Sequence, residues 1–261
     1  MLKSITLSAI SKKRFVIGNP FQVLASVDST NNYAMAQVNA GPVADGSTWF
    51  AMEQTAGKGQ RGKQWHSAPG ENIMLTTVLQ PALTLQQQFM LSMAVALGAY
   101  DFFSRYAGDE TRIKWSNDIY WRDRKAGGIL IENVLRGSVW QYAITGIGIN
   151  INTSKFPEGL VNPVSLLQIT GRTWNSVELA RALCHCLEER YSRLHPAVFD
   201  EWLEEYKSCL YRFNEPGLYK KDGEIFQGVI RDVLPDGRLC LEKGREVLEL
   251  GFGEVEFVIA K

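Results

Sequence analysis

Apolar positions change their spacing repeatedly along the chain. Phe89, Met93, Leu97 and Tyr100 recur at the spacing of one helical face and predict an amphipathic to buried helix over Gln86–Tyr106. The capping residues Asp28-Ser29-Thr30-Asn31, followed by helix formers, predict a helix start within 28–37. Asn175 with Glu178 three residues on reads as a capping box opening a helix to about Leu194, and Pro196 opens another to about Leu210. Strands are predicted over Trp49–Glu53, Ile73–Leu79, Arg112–Trp115, Asp118–Trp121, Gly128–Val134 and Val139–Asn152. The last of these are separated only by Arg122-Asp123-Arg124 and Arg136-Gly137, so consecutive antiparallel neighbours in one sheet are expected.

After Asn214-Glu215-Pro216-Gly217 the pattern turns to short strands alone, over 224–233, 238–242 and 246–250, punctuated by Pro235-Asp236-Gly237 and Gly244. A β unit of about 45 residues is small for a lone core, so it is expected to pack on the larger unit. The fold class is therefore α+β: a mixed, mainly antiparallel sheet packed with helices, plus a small C-terminal β-barrel. The expected division is an N-terminal extension over 1–20, a main domain over 21–213 and the β unit over 214–261.

Composition narrows the function. Lysine plus arginine and aspartate plus glutamate each total 28, so no global positive field exists to hold DNA or an anionic membrane. The N-terminus carries Lys3, Lys12, Lys13 and Arg14 without an uninterrupted apolar segment, and the most apolar run, 89–106, contains Asp101 and Arg105, so neither secretion nor a membrane span is expected. Cys184-His185-Cys186 lies in a helical segment, where positions two apart face differently, and no second ligand pair follows at metal spacing. Buried reduced thiols, and hence a cytoplasmic protein, are the expectation.

Three segments carry chemistry. In Gln54-Thr55-Ala56-Gly57-Lys58-Gly59-Gln60-Arg61-Gly62-Lys63-Gln64-Trp65, glycines let the backbone approach a ligand while Lys58, Arg61 and Lys63 supply cations, so the segment reads as an anion cradle or as a solvated basic loop. It is neither a P-loop nor a dinucleotide fingerprint, because it precedes a strand rather than opening a helix. In Lys114-Trp115-Ser116-Asn117-Asp118 and Lys125-Ala126-Gly127-Gly128-Ile129-Leu130-Ile131-Glu132, Lys125 stands beside two glycines at the entry of an apolar strand. It is either a cation presented over a pocket floor, and then the first catalytic candidate, or a hairpin lysine in water. Asn117 and Asp118 are either turn residues or groups that orient the lysines. In Gly146-Ile147-Gly148-Ile149-Asn150, glycines within a strand mark close approach of a ligand or another backbone.

In order and spacing these segments resemble the biotin protein ligases. The family's Ser-Thr-Asn is matched by Ser29-Thr30-Asn31, its glycine/arginine loop ending in tryptophan by Gly57 to Trp65, and its Lys-Trp-Pro-Asn-Asp by Lys114 to Asp118. Its Lys-x-x-Gly-Ile-Leu-x-Glu is matched by Lys125 to Glu132, its Gly-x-Gly-x-Asn by Gly146 to Asn150, and the end of its SH3-like domain by Gly253-Glu254-Val255. The match covers roughly 23–258. Ser116 replaces the usual proline, and Lys58, Gln60 and Lys63 stand where arginine is common, so bidentate geometry is lost at the lysines and a cation at Gln60.

The resemblance implies a class II synthetase-like ligase domain without an N-terminal DNA-binding domain, since only about 20 residues precede the catalytic segment, too few for a helix-turn-helix. It implies activation of biotin by ATP to biotinyl-5′-AMP and transfer to a lysine of a biotin carboxyl carrier protein, by a monomer or homodimer needing Mg2+ and having no repressor role. Lys125 and Arg61 are implied as catalytic. Biotin would be held by Ser29, Thr30, Asn31, Gln54, Gly57, Lys58, Gly59, Gln60, Arg61, Lys125 and Gly128. The adenylate would lie by Lys58, Gly59, Gln60, Arg61, Lys63, Trp65, Asn117, Lys125 and Asn150, with Asp118 and Glu132 as candidate metal ligands. The glycine-rich loop is expected to order over the ligand.

Overall fold

A computed structural model describes residues 16–160 and 162–259, and the predicted basic extension with Lys3, Lys12, Lys13 and Arg14 lies outside them. In chain order, β1 (Phe21–Leu24), α1 (Thr30–Ala40) and β2 (Thr48–Ala51) precede a small hairpin, β3 (Gly57–Lys58) and β4 (Gln64–Trp65). Then come β5 (Ile73–Leu79), α2 (Gln88–Ala107), β6 (Thr111–Lys114), β7 (Asp118–Trp121), β8 (Arg124–Arg136) and β9 (Val139–Ile149). Three helices follow, α3 (Leu166–Thr170), α4 (Ser176–Tyr191) and α5 (Phe199–Ser208).

The strands form a seven-stranded sheet in the order β1-β2-β5-β9-β8-β7-β6, parallel only between β1 and β2. It is sandwiched. On one face Ile73, Leu75 and Leu79 join the main core with α2 and α4, while on the other Val78, Ile144 and Trp49 pack on Ala34 and Val38 of α1. Burial on both faces explains why β5 is buried at every position instead of alternating. The expected buried helix is α2, and all four cysteines are free and buried. Burial pushes the thiols of Cys184 and Cys186 up to about 12 and about 11, as inert core sulfurs require. Asn175 caps α4 through the N–H groups of Val177 and Glu178.

The C-terminal region forms a five-stranded antiparallel sheet from β10 (Pro216–Lys221), β11 (Glu224–Val233), β12 (Leu239–Lys243), β13 (Glu246–Leu250) and β14 (Glu256–Val258). As expected of so small a unit, it packs on the rest: the Trp115 indole donates to the Gly237 carbonyl at 3.0 Å. Phe257 of β14 lies 5.1 Å from Tyr219 and 6.3 Å from Tyr211, ring centre to ring centre.

Candidate active site

Register brings the three chemical segments onto the α1 face of the sheet. Gly128 pairs with Gly148 and Leu130 with Gly146, while Met74 and Thr76 of β5 lie opposite the same two glycines. The result is a patch of floor, at Gly128, Gly146 and Gly148, that carries no side chains. A Cβ on Gly146 would stand 2.1 Å from Asn31 Oδ1, and one on Gly148 would stand 2.6 Å from the Trp65 ring, so both glycines are required by what lies above them.

Over Gly146 sits a buried polar network. The Gln54 side-chain oxygen accepts from the Thr30 amide at 2.7 Å and hydroxyl at 3.0 Å. The Thr76 hydroxyl reaches Thr30 Oγ1 at 2.8 Å and Asn31 Oδ1 at 2.6 Å, and Asn31 Nδ2 donates to Glu132 at 2.7 Å. Glu132 in turn faces Lys58 at 3.8 Å. Ser29, 1% exposed, precedes α1, but its hydroxyl does not cap the helix. One chain of contacts thus joins the Ser29–Asn31 segment to the glycine-rich loop.

Beside it lies a cation cluster. Asp118 accepts from Lys125 Nζ at 2.7 Å and faces Lys114 Nζ at 4.0 Å, one carboxylate between two ammonium groups. Burial first, then Lys125 and Lys63, holds Lys114 below the ordinary lysine range, with Asp118 opposing. The Lys125 backbone is clamped, its N–H donating to Asn162 O at 2.7 Å and its carbonyl accepting from Val164 N at 2.9 Å. Asn150 Nδ2 donates to the Val164 carbonyl at 3.1 Å and the Lys125 carbonyl at 3.4 Å, and Asn117 Nδ2 donates to the Ile129 carbonyl. Asn150 therefore braces the backbone at Lys125, and Asn117 braces β8 at Ile129. The motif alone assigns Lys114 no role, because its alternating position within a strand offers no signal; pairing with Asp118 across the β6–β7 turn reveals it.

The glycine-rich loop is the hairpin β3–β4 around a single turn, with Gln60, Arg61 and Lys63 exposed. Trp65 lies against Gly148 with its indole nitrogen buried and unpartnered. Arg61 adopts φ 55°, and its guanidinium donates to the Gly253 carbonyl. Asp118 and Glu132 are each engaged by lysine, and among the described residues no three His, Cys, Asp or Glu side chains group to hold a metal. These residues do not make a dedicated magnesium site; such an ion is usually held largely by the phosphates of its nucleotide.

Comparison with known proteins places this arrangement. Residues 23–150 match the Biotin/lipoate A/B protein ligase family. The biotin–acetyl-CoA-carboxylase ligase of Paracoccus denitrificans is 30% identical over 243 residues, covering 88% of this chain and all of that one. The Escherichia coli bifunctional ligase/repressor BirA is 29% identical over 228 residues, 87% of this chain and 70% of its own. The structure of the Aquifex aeolicus biotin protein ligase in complex with biotin and ATP superposes with a TM-score of 0.76 at 23% identity, over 92% of this chain and 99% of that one, and so shares the fold. By its motifs, its fold and a relative matched along its whole length, the chain belongs to the Biotin/lipoate A/B protein ligase family.

Proposed function

We propose that the protein activates biotin with ATP to biotinyl-5′-AMP and pyrophosphate and transfers the biotinyl group to a lysine of a biotin carboxyl carrier protein. The observation that carries this reading is the adjacency of two unlike subsites on one sheet face. The Thr30–Gln54–Thr76–Asn31 network offers donors and acceptors of the kind an uncharged ureido ring needs, while Lys125, Lys114 and Lys63 form a cationic neighbour suited to phosphate.

Bringing a carboxylate onto the α-phosphate joins two anions, so catalysis here is positioning plus charge stabilisation. Lys125 is assigned to the α-phosphoryl oxygens and Asp118 to its orientation. Lys114 and Lys63 extend the positive field, and Lys58 and Arg61 serve the departing pyrophosphate. The backbone at Gly57, Gly59 and Gln60 can approach the ligand, although the Gly59 N–H is spent on the Lys63 carbonyl at 2.7 Å; Gly128 keeps the floor open, and Trp65 faces the adenylate. Asn150 acts through the backbone of Lys125, and Asn117 through that of Ile129 in the same strand. No helix among the described residues is long and apolar enough to cross a membrane, and we place the reaction in the cytoplasm, where reduced cysteines persist.

Pyrophosphate release tests the first half-reaction. The reading requires release that depends on biotin and is not supported by lipoate; release supported equally by lipoate would overturn the substrate assignment.

A further inference from the structure

The glycine-rich loop does not close on the main sheet alone. Arg61, at its tip, donates to the carbonyl of Gly253, 192 residues away in the C-terminal region. Gly253 itself has φ +79°, and a Cβ there would stand 2.4 Å from the Arg61 guanidinium, so the contact tolerates only glycine. Its neighbour Phe252, although 55% exposed, stacks on Trp115 at 5.2 Å between ring centres, and Trp115 follows Lys114 directly. Glu254 closes the turn by accepting from the Gly251 N–H at 2.8 Å. From the adjoining strand, Phe257 lies 4.6 Å from the Lys114 ammonium.

We propose that the turn from Gly251 to Glu254 is the latch of the glycine-rich loop, with Phe252 and Gly253 as positioning residues that hold Arg61 in the closed arrangement. The reason for a latch rests on the ligase reading: a mixed anhydride hydrolyses when water reaches it, so a loop held from two sides retains the intermediate for the carrier.

Trypsin reads the loop directly, since Lys58, Arg61 and Lys63 are its cleavage points. With the full chain and no biotin or ATP, Phe252→Ala and Gly253→Ala should each speed cleavage in the loop roughly threefold to tenfold, the scale of a lost aromatic stack or charge-assisted bond. Phe252→Tyr should restore the parental rate, and cleavage elsewhere and the melting temperature should stay close to parental. Loop cleavage at the parental rate in both alanine variants, or acceleration spread evenly along the chain, overturns the latch. With ATP and biotin present, the same variants should release more pyrophosphate per carrier modified. Because the proteolysis needs no ligase activity, failure of the ligase reading would leave the latch separately decided.

Discussion

Replacing Lys125 by glutamine removes the cation nearest Asp118 while keeping much of the side chain's length. Its Nζ lies 2.7 Å from Asp118 Oδ1, but the lysine side chain is 35% exposed, so solvent screens the pair. The stability loss should be about 0.5–1 kcal/mol, and Asp118 retains Lys114 at 4.0 Å as a partner. Losing a preorganised group from developing charge costs far more, about 3–4 kcal/mol, or a 10²–10³-fold fall in turnover. The two magnitudes separate structure from chemistry. A domain that loses 1 kcal/mol of a typical 5–15 kcal/mol stays folded in the assay. Urea unfolding and biotin-dependent pyrophosphate release, measured on the same preparation, should show a small midpoint shift and a large rate loss. Pyrophosphate release at the parental rate would remove Lys125 from the mechanism, and a rate loss matched by unfolding would make it structural.

Gly148→Ala drives a Cβ into the Trp65 ring, 2.6 Å away, and should displace the loop, costing about 1–3 kcal/mol and raising KM for ATP; an unchanged KM would detach Trp65 from the nucleotide. Gly146→Ala collides with Asn31 Oδ1 and should weaken biotin binding, read by calorimetry, while pyrophosphate binding is unaffected. Lys114 carries a pH signature. Its folded pKa lies below 10.5, so the unfolded chain binds more protons in the window between the two values, and stability from this group rises as pH climbs through it. Lys114→Met should flatten that rise. Pyrophosphate binding beside Lys114 should draw in a proton in the same window, seen as a buffer-dependent binding enthalpy; no buffer dependence there would separate Lys114 from the anion.

The elements with strong local periodicity were readable from the chain. The spacing in α2, the capping residues before α1 and the tight turns of the β6–β9 meander each state their structure within a few residues. What escaped depends on distant partners. β8 begins at Arg124 rather than Gly128 because Arg124, Lys125 and Gly127 pair with β7, across an irregularity at Ala126, and Lys125 bridges to Pro163. β10 opens on Pro216-Gly217, turn residues locally, which pair with Val229 and Gly228. β1 and β14 are short edge strands with little pattern of their own. The site divides similarly: motif residues were identifiable in order, but the joint claim of Lys114 and Lys125 on Asp118, and of Arg61 on Gly253, belongs to tertiary structure.

The central claim is transfer of biotin to a carrier lysine, and mass spectrometry of the carrier tests it most directly. Incubated with ATP, biotin and a biotin carboxyl carrier domain, the protein should add one biotinyl group to a single carrier lysine, should add nothing without ATP, and should add no lipoyl group when lipoate replaces biotin. A carrier that stays unmodified, or that accepts lipoate as readily as biotin, would contradict the account.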